Sequence, residues 1–420
     1  MSTGPIDFGT SFTPPARPPT QEERDQLLSA IGGLKNRSEW FQIVYPGDDI
    51  FELYGALTEA EGLTASNRGT FLMMPGVYEL PGIWELQSNI DVIGVGTVDK
   101  KPSVVIVDNE GTTGVVVRGN DVLVKGINSN ILRIAAHLTG VEFEDCVAGD
   151  FGFSFLSSGI DVAPYNAESY IVDYADFVNV EALTLEDCSF TRCLAGSYSF
   201  GPVLTSCRLK DCRAGSNCFG AVGILDGSVL EDCVGESFCF GCPQVSDLSW
   251  LYFPYEVDST IRNSTFRNCT SESYFAFGYN IVENSSFYNC RGSDVSFNGN
   301  VSFTDNVLED CVAGGYSFSA DAPAIGCTFR RCTATDLSFC CEDLLTVGIS
   351  GNAVTVFEDC VSGALSFANG MIPVLLPGGE FPYKFVRCVG GAESFGASMG
   401  CFGEFIDCIG GSGSYRSYSL

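Results

Sequence analysis

The stretch between Phe266 and Phe339 reads FRNCTSESYFAF (266–277), FYNCRGSDVSF (287–297), LEDCVAGGYSF (308–318) and FRRCTATDLSF (329–339). Its four cysteines recur every 21 residues. A fixed period of this length is typical of stacked-coil proteins. The same motif begins at seven more positions, namely Phe143, Phe190, Leu209, Leu230, Phe357, Phe385 and Phe405. The eleven copies together predict a repeat protein.

A coil of about 21 residues is shorter than a propeller blade, which takes about 40–45 residues, and it lacks the helical pattern of helical repeats. Three short strands joined by turns fit this length, at about 3.3 Å per strand residue. Successive coils then stack about 4.8 Å apart with parallel, in-register hydrogen bonds. We therefore predict an all-β parallel β-helix over residues 70–420, a region leading into it over 42–69, and an N-terminal arm with a docking or capping helix over 1–41.

Equivalent positions of stacked coils form columns, and three of these columns are apolar. One is formed by the Phe or Leu that opens each copy. The cysteine column is Cys146, Cys193, Cys212, Cys233, Cys269, Cys290, Cys311, Cys332, Cys360, Cys388 and Cys408. The aromatic column is Phe155, Phe200, Phe219, Phe240, Phe277, Phe297, Phe318, Phe339, Phe367, Phe395 and Tyr415. We expect all three columns to fill the core of the coil.

The residue before each cysteine forms a polar column, called the corner column below. It consists of Asp145, Arg192, Asp211, Asp232, Asn268, Asn289, Asp310, Arg331, Asp359, Arg387 and Asp407. Charges at this density are not buried unpaired, so we expect the column to face solvent or a bend. It can be interpreted as a catalytic carboxylate row or as an outer ladder of mixed charge, and we favour the ladder.

The charge balance excludes some classes of partner. The 420-residue chain has 52 acidic and 22 basic residues, a net charge of −30. Nucleic-acid binding needs a basic surface, and anionic membranes attract basic segments, so neither partner is expected. A charge of this size keeps a long β-protein soluble.

The 20 cysteines are an even number, which raises the possibility of a secreted disulfide framework. The start, MSTGPIDFGTSF, has no secretory signal pattern, and no apolar run approaches the ~18 residues of a membrane span. We therefore predict that most cysteines are reduced and buried, including Cys188, Cys207 and Cys327 outside the main column. Stacked thiols lie close enough for a few disulfides to remain an alternative.

The two ends of the chain differ from the repeats. Residues 1–19 contain five prolines, and a helix is predicted from Thr20 to the Gly32-Gly33 pair. We expect this arm to dock onto a partner chain through Phe8, Phe12, Leu27, Leu28 and Ile31. A second helix is predicted around 50–60. The sequence RSYSL follows the last copy directly, and we expect a neighbouring chain, a partner or a folded-back tail to cover that end.

A family resemblance lies in the segment that opens the strand-like region. Met74-Pro75-Gly76-Val77-Tyr78 and Asn89-Ile90-Asp91-Val92-Ile93-Gly94 resemble the opening coils of right-handed parallel β-helix proteins of the pectate-lyase-like superfamily. The resemblance covers about residues 70–420 and extends to phage tailspike and fibre proteins. It implies a right-handed coil. Members include polysaccharide lyases and hydrolases, adhesins and phage fibres, so the fold leaves the function open.

Three intervals exceed the repeat length, and on a solenoid such insertions form loops that often carry binding residues. Two of them are rich in aromatic residues, and the third spans 368–383. We interpret the aromatics as interface or packing residues, with glycan stacking as the alternative. The candidate glycan or partner contacts are Trp250, Tyr252, Phe253, Tyr255, Tyr165, Tyr170 and Tyr174.

Other residues with possible chemistry are isolated. His137 is the only histidine and lies in an apolar, strand-like segment, which favours a structural role. Cys239 and Cys242 have the spacing of a zinc ligand pair, but no second pair accompanies them. Asn263 and Asn284 fit glycosylation acceptors, which matter only in a secretory pathway. Glycosidases need paired carboxylates about 5–10 Å apart, and 52 acids give many chance pairs. No catalytic, cofactor-binding or metal residues are therefore nominated, and no cofactor is expected.

We interpret the chain as a non-enzymatic structural or adhesion component of a phage virion: a tail fibre, a spike or a capsid-surface protein. About 16 coils at ~4.8 Å predict a rod on the order of 75 Å. Synthesis in the host cytoplasm would reconcile free thiols with a role on the virion. A homo-oligomer, preferably a trimer, other virion proteins and cell-surface polysaccharide are the expected partners. The alternatives are a polysaccharide depolymerase on the same fold and a cellular surface adhesin.

Overall fold

The computed structural model describes residues 40–60, 62–98, 101–107, 114–134, 137–150, 152–154, 184–197, 199–201, 203–220, 224–241, 260–272, 276–278, 281–298, 302–318, 324–339, 354–367, 383–395 and 403–414. The chain divides into two compact units, Met1–Phe200 and Gly201–Leu420. Each unit is described by itself.

In the first unit, parallel strands stack coil on coil along three sides. The first side contains Phe41–Val44, Gly69–Met73, Ile90–Gly94, Leu123–Lys125, Glu142–Glu144 and Ser189–Thr191. The second contains Gly76–Glu79, Val104–Val107, Ile127–Ser129 and Val147–Ala148, and the third contains Ile83–Leu86, Gly114–Val117 and Leu132–Ile134. Leu138–Thr139 pairs with Thr184–Glu186 in parallel, and Thr97–Val98 pairs with Lys101–Pro102 in antiparallel. The prediction of three strands per coil is confirmed in this unit.

A helix, Ile50–Thr58, lies where the second helix was predicted. Asp49 caps its N-terminus by accepting a hydrogen bond from the Glu52 backbone N–H. Its buried Tyr54 contacts Phe71 and Trp84 edge-to-face, with ring centroids 5.4 and 5.3 Å apart. The helix therefore packs on the aromatic core of the first coils. The helix predicted from Thr20 lies outside the described residues.

In the second unit, two sides of each coil carry parallel strands. One side contains Arg208–Lys210, Val229–Glu231, Thr265–Arg267, Ser286–Tyr288, Val307–Glu309, Thr328–Arg330, Thr355–Glu358, Tyr383–Val386 and Glu404–Ile406. The other contains Val203–Thr205, Ile224–Asp226, Thr260–Arg262, Ile281–Glu283, Ser302–Thr304 and Ala324–Ile325. Val234–Gly235 pairs with Thr270–Ser271, also in parallel.

On the third side of this unit, the predicted strand is mostly absent from the described coils. Single-residue bridges such as Val312 with Thr333 replace it. After each bridge the backbone bends through two left-handed residues, for example Val295 at φ 57° and Phe297 at φ 54°. A left-handed residue cannot continue an extended strand. The prediction of three strands per coil is therefore wrong for most of the second unit.

Aromatic rings fill the core of the second unit in two columns. In the aromatic column, Phe240, Phe277 and Phe297 stack with centroids 4.7 and 4.6 Å apart. In the opening column, Phe266 and Phe287 stack 4.8 Å apart. The columns meet edge-to-face, as in the 5.8 Å contact of Phe266 with Phe277. These arrangements are the favoured geometries of aromatic pairs, and they confirm the predicted columns.

One member of the aromatic column is corrected. In the first unit, Phe153 packs on Phe200 with centroids 5.0 Å apart. Phe155, which was expected in this position, lies outside the described residues, as does Tyr415. Phe153 follows Cys146 by seven residues, the same interval that separates Cys193 from Phe200. Counting seven residues from Cys146 would therefore have given Phe153 as the member of the aromatic column.

Buried polar side chains satisfy backbone groups at the bends. The Ser228 hydroxyl accepts a hydrogen bond from the Cys207 backbone N–H, and the Ser264 hydroxyl accepts one from the Ser228 backbone N–H. The buried Ser317 hydroxyl does the same for the Ser296 backbone N–H. Each side chain thus replaces a ladder bond that the bent backbone cannot make. No helix in the described part of the chain is long and apolar enough to cross a membrane.

Candidate functional site

The residues proposed for binding are not among those that the structure describes. The seven aromatic candidates of the insertions (Trp250, Tyr252, Phe253, Tyr255, Tyr165, Tyr170 and Tyr174) lie outside the described ranges, and so do Phe8, Phe12, Leu27, Leu28 and Ile31 of the arm. Their roles stay predictions. The surface that the structure does describe is dominated by the corner column.

All eleven residues of the corner column have left-handed backbone conformations, with φ between 51° and 56°. They form the bend between an outer strand and the inward-pointing cysteine. Asn and Asp tolerate this conformation better than most residues, which explains why they predominate here. The expectation that the column faces solvent or a bend is confirmed.

Arginine in this column clamps the acidic residues of the coil before it. The Arg387 guanidinium donates to Asp359 through Nε and Nη2, at 2.7 and 2.8 Å, and also to Glu358 at 2.8 Å. Arg331 binds Asp310 in the same two-point manner, at 2.7 and 2.9 Å, and also contacts Glu309. In the first unit, Arg192 binds Asp145 and Glu144. Planar two-point binding of this kind orients both partners.

These contacts change the acidity of the clamped carboxyl groups. The hydrogen bonds from Arg331 lower the pKa of Asp310, and those from Arg387 lower the pKa of Asp359. A general acid needs a pKa raised towards the working pH, the opposite direction. The clamped aspartates are therefore suited to joining coils and unsuited to donating protons.

Where arginine is absent, amide side chains join neighbouring coils. The Asn268 side-chain amide donates to Asp232, and the Asn289 amide donates to Asn268, each at 2.9 Å. At the preceding bend, Asn284 donates to Asn263 at 2.6 Å. Asn263 and Asn284, both of which fit glycosylation acceptors, are thus members of an asparagine ladder.

Two other titratable residues have structural partners. His137 is half exposed, and its Nε2 lies 3.6 Å from Glu186 Oε2. Burial raises the pKa of Asp91, which pairs with Arg68 and accepts a hydrogen bond from the Leu123 backbone N–H at 3.0 Å. The two contacts of Asp91, with Arg68 and with Leu123, hold the first coils of the solenoid together.

The described cysteines belong to the core. Every member of the cysteine column is buried except Cys408, which is half-buried. Cys239 contacts Cys218 of the adjacent coil, with the sulfur atoms 3.1 Å apart, whereas Cys242 lies outside the described residues. Within the described ranges, no group of three or more His, Cys, Asp or Glu side chains could hold a metal ion. Burial raises the pKa of Cys233, Cys290 and Cys332.

Sequence reasoning missed two features of this surface. The first is the arginine clamp, although its signal is visible: Glu-Asp-Cys in one copy is followed by Arg-Cys in the next at 144–146 with 192–193, 309–311 with 331–332, and 358–360 with 387–388. The second is a row of exposed apolar residues beside the corner column. No periodic signal marked that row, because its members vary between apolar, polar and charged residues along the chain.

The family described as right-handed β-helix region matches residues 244–360. Together with the parallel ladders, this match identifies the fold as a right-handed parallel β-helix. No functionally curated protein matches the chain.

Solved structures with a similar fold are distant. The PL6 family alginate lyase AlyGC is 12% identical, over 87% of this chain and 53% of that chain, with a TM-score of 0.39. The chain thus spans about half the length of that lyase. An exopolygalacturonase from Thermotoga maritima is 10% identical, over 94% and 97% of the two chains, with a TM-score of 0.35. ORF18 of Geobacillus virus E2 is 10% identical, over 89% and 64%, with a TM-score of 0.30.

Proposed function

We propose that this protein is a non-enzymatic structural or adhesion component of a phage virion, such as a tail fibre, a spike or a capsid-surface protein. The observation that carries the proposal is the use of the outer polar side chains. On the described coils, arginine clamps and asparagine ladders tie successive coils together, as Arg387 does with Asp359 and Glu358. Side chains engaged in this way stiffen a solenoid.

The charge of the chain argues against a role with nucleic acid. A net charge of −30 gives long-range repulsion from polyanions and keeps the protein soluble. The proline-rich arm, with Phe8, Phe12, Leu27, Leu28 and Ile31, is the segment that we propose to dock the chain onto other virion proteins.

A cleavage and binding assay on cell-surface polysaccharide tests the proposal. The full-length protein is incubated with polysaccharide from the source organism or its host, and polymer size is followed by light scattering after size-exclusion chromatography. Binding is measured on the same material, with heat-unfolded protein as the control. We expect no loss of polymer size.

The outcomes separate the alternatives. Depolymerisation would overturn the proposal in favour of a polysaccharide lyase or hydrolase. Binding without cleavage supports a receptor-binding role, for which Trp250, Tyr252, Phe253 and Tyr255 are the first residues to substitute. Neither binding nor cleavage supports a scaffold or decoration role within the virion.

A further inference from the structure

In its described coils, the second unit carries a row of exposed apolar side chains. Val312, Val361, Val389 and Ile409 are 40%, 43%, 38% and 65% exposed. In the described part of the chain, only two other large apolar residues are comparably exposed, Tyr45 and Tyr316. With Thr333, the four residues form one row, called the valine ridge below.

The valine ridge is straight and rigidly held. Its members form consecutive parallel bridges from Val312 through Thr333, Val361 and Val389 to Ile409. Four steps of about 4.8 Å give a ridge about 19 Å long. The backbone N–H groups along it are bonded, as in Val361 to Cys332 and Val389 to Cys360, both at 2.9 Å. A preformed apolar row of this kind is typical of an interaction surface.

The charges beside the ridge alternate in sign. The corner column runs Asp310, Arg331, Asp359, Arg387 and Asp407 in the same five coils, two residues before each ridge residue. A net charge of −30 opposes self-association in general, so a contact between two copies needs a local charge match. An alternating column supplies one.

We propose that the valine ridge is the contact between two antiparallel copies of this chain. The twofold axis lies in the interface and crosses the ridge at a right angle, between the coils of Arg331 and Asp359. It places the corner column of one copy opposite the corner column of the other copy, which runs in the reverse direction. Asp310 then faces the partner's Arg387, and Arg331 faces the partner's Asp359. Along the ridge, Val312 meets the partner's Val389. Within the corner column, every facing charge pair joins an acid to a base, which gives the self-complementarity of an isologous interface. Ile409 lies opposite the partner's Arg291 at the end of the contact, since Arg291 precedes Val312 in the same row of bridges.

This inference does not rest on the virion function, and it differs from the expected trimer. A threefold arrangement cannot oppose the corner column to its reversed copy, because its chains run in the same direction. A trimer, if formed, would use another face of the protein.

Sedimentation velocity of the full-length protein at micromolar concentration and physiological salt tests the proposal. The expected mass is twice the 44.9 kDa of the chain. The double variant Val361→Glu, Val389→Glu should weaken dimerisation about tenfold or more, because it places acids in an apolar contact. Tyr45→Glu is the matched control, since it replaces an exposed apolar residue outside the ridge, and it should leave the mass unchanged.

Charge reversal separates pairing between copies from pairing within one chain. Asp310→Arg should weaken the dimer, because it sets a base against the partner's Arg387. Adding Arg387→Asp restores opposite charges across the twofold axis, while the clamps within the chain, between residues 310 and 331 and between 359 and 387, stay broken. Residues 310 and 387 lie three coils apart, so they cannot pair within one chain. The dimer should therefore recover in the double variant. Circular dichroism confirms that each variant is folded.

A monomer for the unmodified chain would overturn the proposal. So would any oligomer, including a trimer, whose mass is unaffected by the two valine substitutions. Failure of the charge-reversed double variant to recover would reject the antiparallel register.

Discussion

Asp310 and Asp359 show how single residues of the bend contribute to stability. The hydrogen bonds from Arg331 and Arg387 hold the pKa of each carboxyl below its ordinary value. Both side chains are largely exposed, so each clamp contributes modestly, as solvent screens the charges. The same stabilising contact recurs at each arginine clamp along the solenoid.

The direction of the pH effect follows from these shifts. A carboxyl with a lowered pKa in the folded state stabilises the fold above its unfolded pKa, near 3.9, and this contribution is lost as the pH falls through the folded value. We expect the melting temperature to fall on acidification below about pH 4. In Arg387→Gln, the pKa of Asp359 returns towards its ordinary value, so this part of the pH dependence should shrink. Thermal unfolding from pH 7 to pH 3 measures both effects, and equal slopes in the two proteins would contradict the argument.

Phe297 combines a strained backbone with a favourable side chain. Its φ of 54° lies in the left-handed region, which is rare for a bulky residue and costs about 1–3 kcal/mol. The ring is fully buried and stacks between Phe277 and Phe318, with centroids 4.6 and 5.0 Å away. The stacked column therefore holds the backbone in this conformation.

We expect Phe297→Ala to destabilise the protein by about 3–5 kcal/mol, because it leaves a cavity in the ring column. Chemical unfolding followed by circular dichroism measures the change. Arg208→Ala, at an exposed strand position of the same unit outside the ridge, is the control and should change stability by less than about 0.5 kcal/mol. Similar values for the two variants would show that the column does not stabilise this unit.

At the scale of elements, the helix Ile50–Thr58 closes the aromatic core of the first unit. Ile50, Tyr54 and Leu57 are buried, and the Tyr54 hydroxyl accepts a hydrogen bond from the Gln87 backbone N–H at 2.8 Å. The helix thus covers apolar side chains of the first coils, which would otherwise be open to association with other chains.

Two substitutions separate these contributions of Tyr54. Tyr54→Phe removes only the hydrogen bond and should cost about 0.5–1.5 kcal/mol. Tyr54→Ala also removes the contacts with Phe71 and Trp84 and should cost about 3–5 kcal/mol. Thermal unfolding of the first unit, with light scattering to detect association, measures both. If Tyr54→Ala were no worse than Tyr54→Phe, the ring would have no capping role.

At the scale of the whole molecule, the cysteines are predicted to be reduced. The described thiols are buried, except that of Cys408, which is half-buried. A buried structural thiol is out of reach of a reagent in solution and reacts slowly. We expect few thiols to react in the native protein at pH 8 and most of the 20 to react after denaturation. A chromogenic disulfide reagent counts both, and few free thiols in the denatured protein would refute the prediction.

Most of the fold could be predicted from the sequence because each coil contacts only the coils before and after it, at a regular spacing along the chain. When coils repeat every 21 residues in register, residues 21 apart lie above each other, so the cysteine and aromatic columns follow from counting. The interval of seven residues from Cys146 to Phe153, equal to that from Cys193 to Phe200, would also have placed Phe153 in the aromatic column. The binding residues in the long insertions could not be placed, because no repeat defines their neighbours.

By itself, the sequence determined the period, the columns, the burial of most of the described cysteines and the outward position of the corner column, since each depends on spacing along one chain. Only the tertiary structure decided that the third side of most second-unit coils is a left-handed bend, that Arg387 clamps Asp359, and that Val361 lies in an exposed ridge. These features depend on how the side chains of one coil meet those of the next. Backbone strain at Phe297 is tolerated because neighbouring rings hold it, and neither the strain nor its support can be counted from residue spacing.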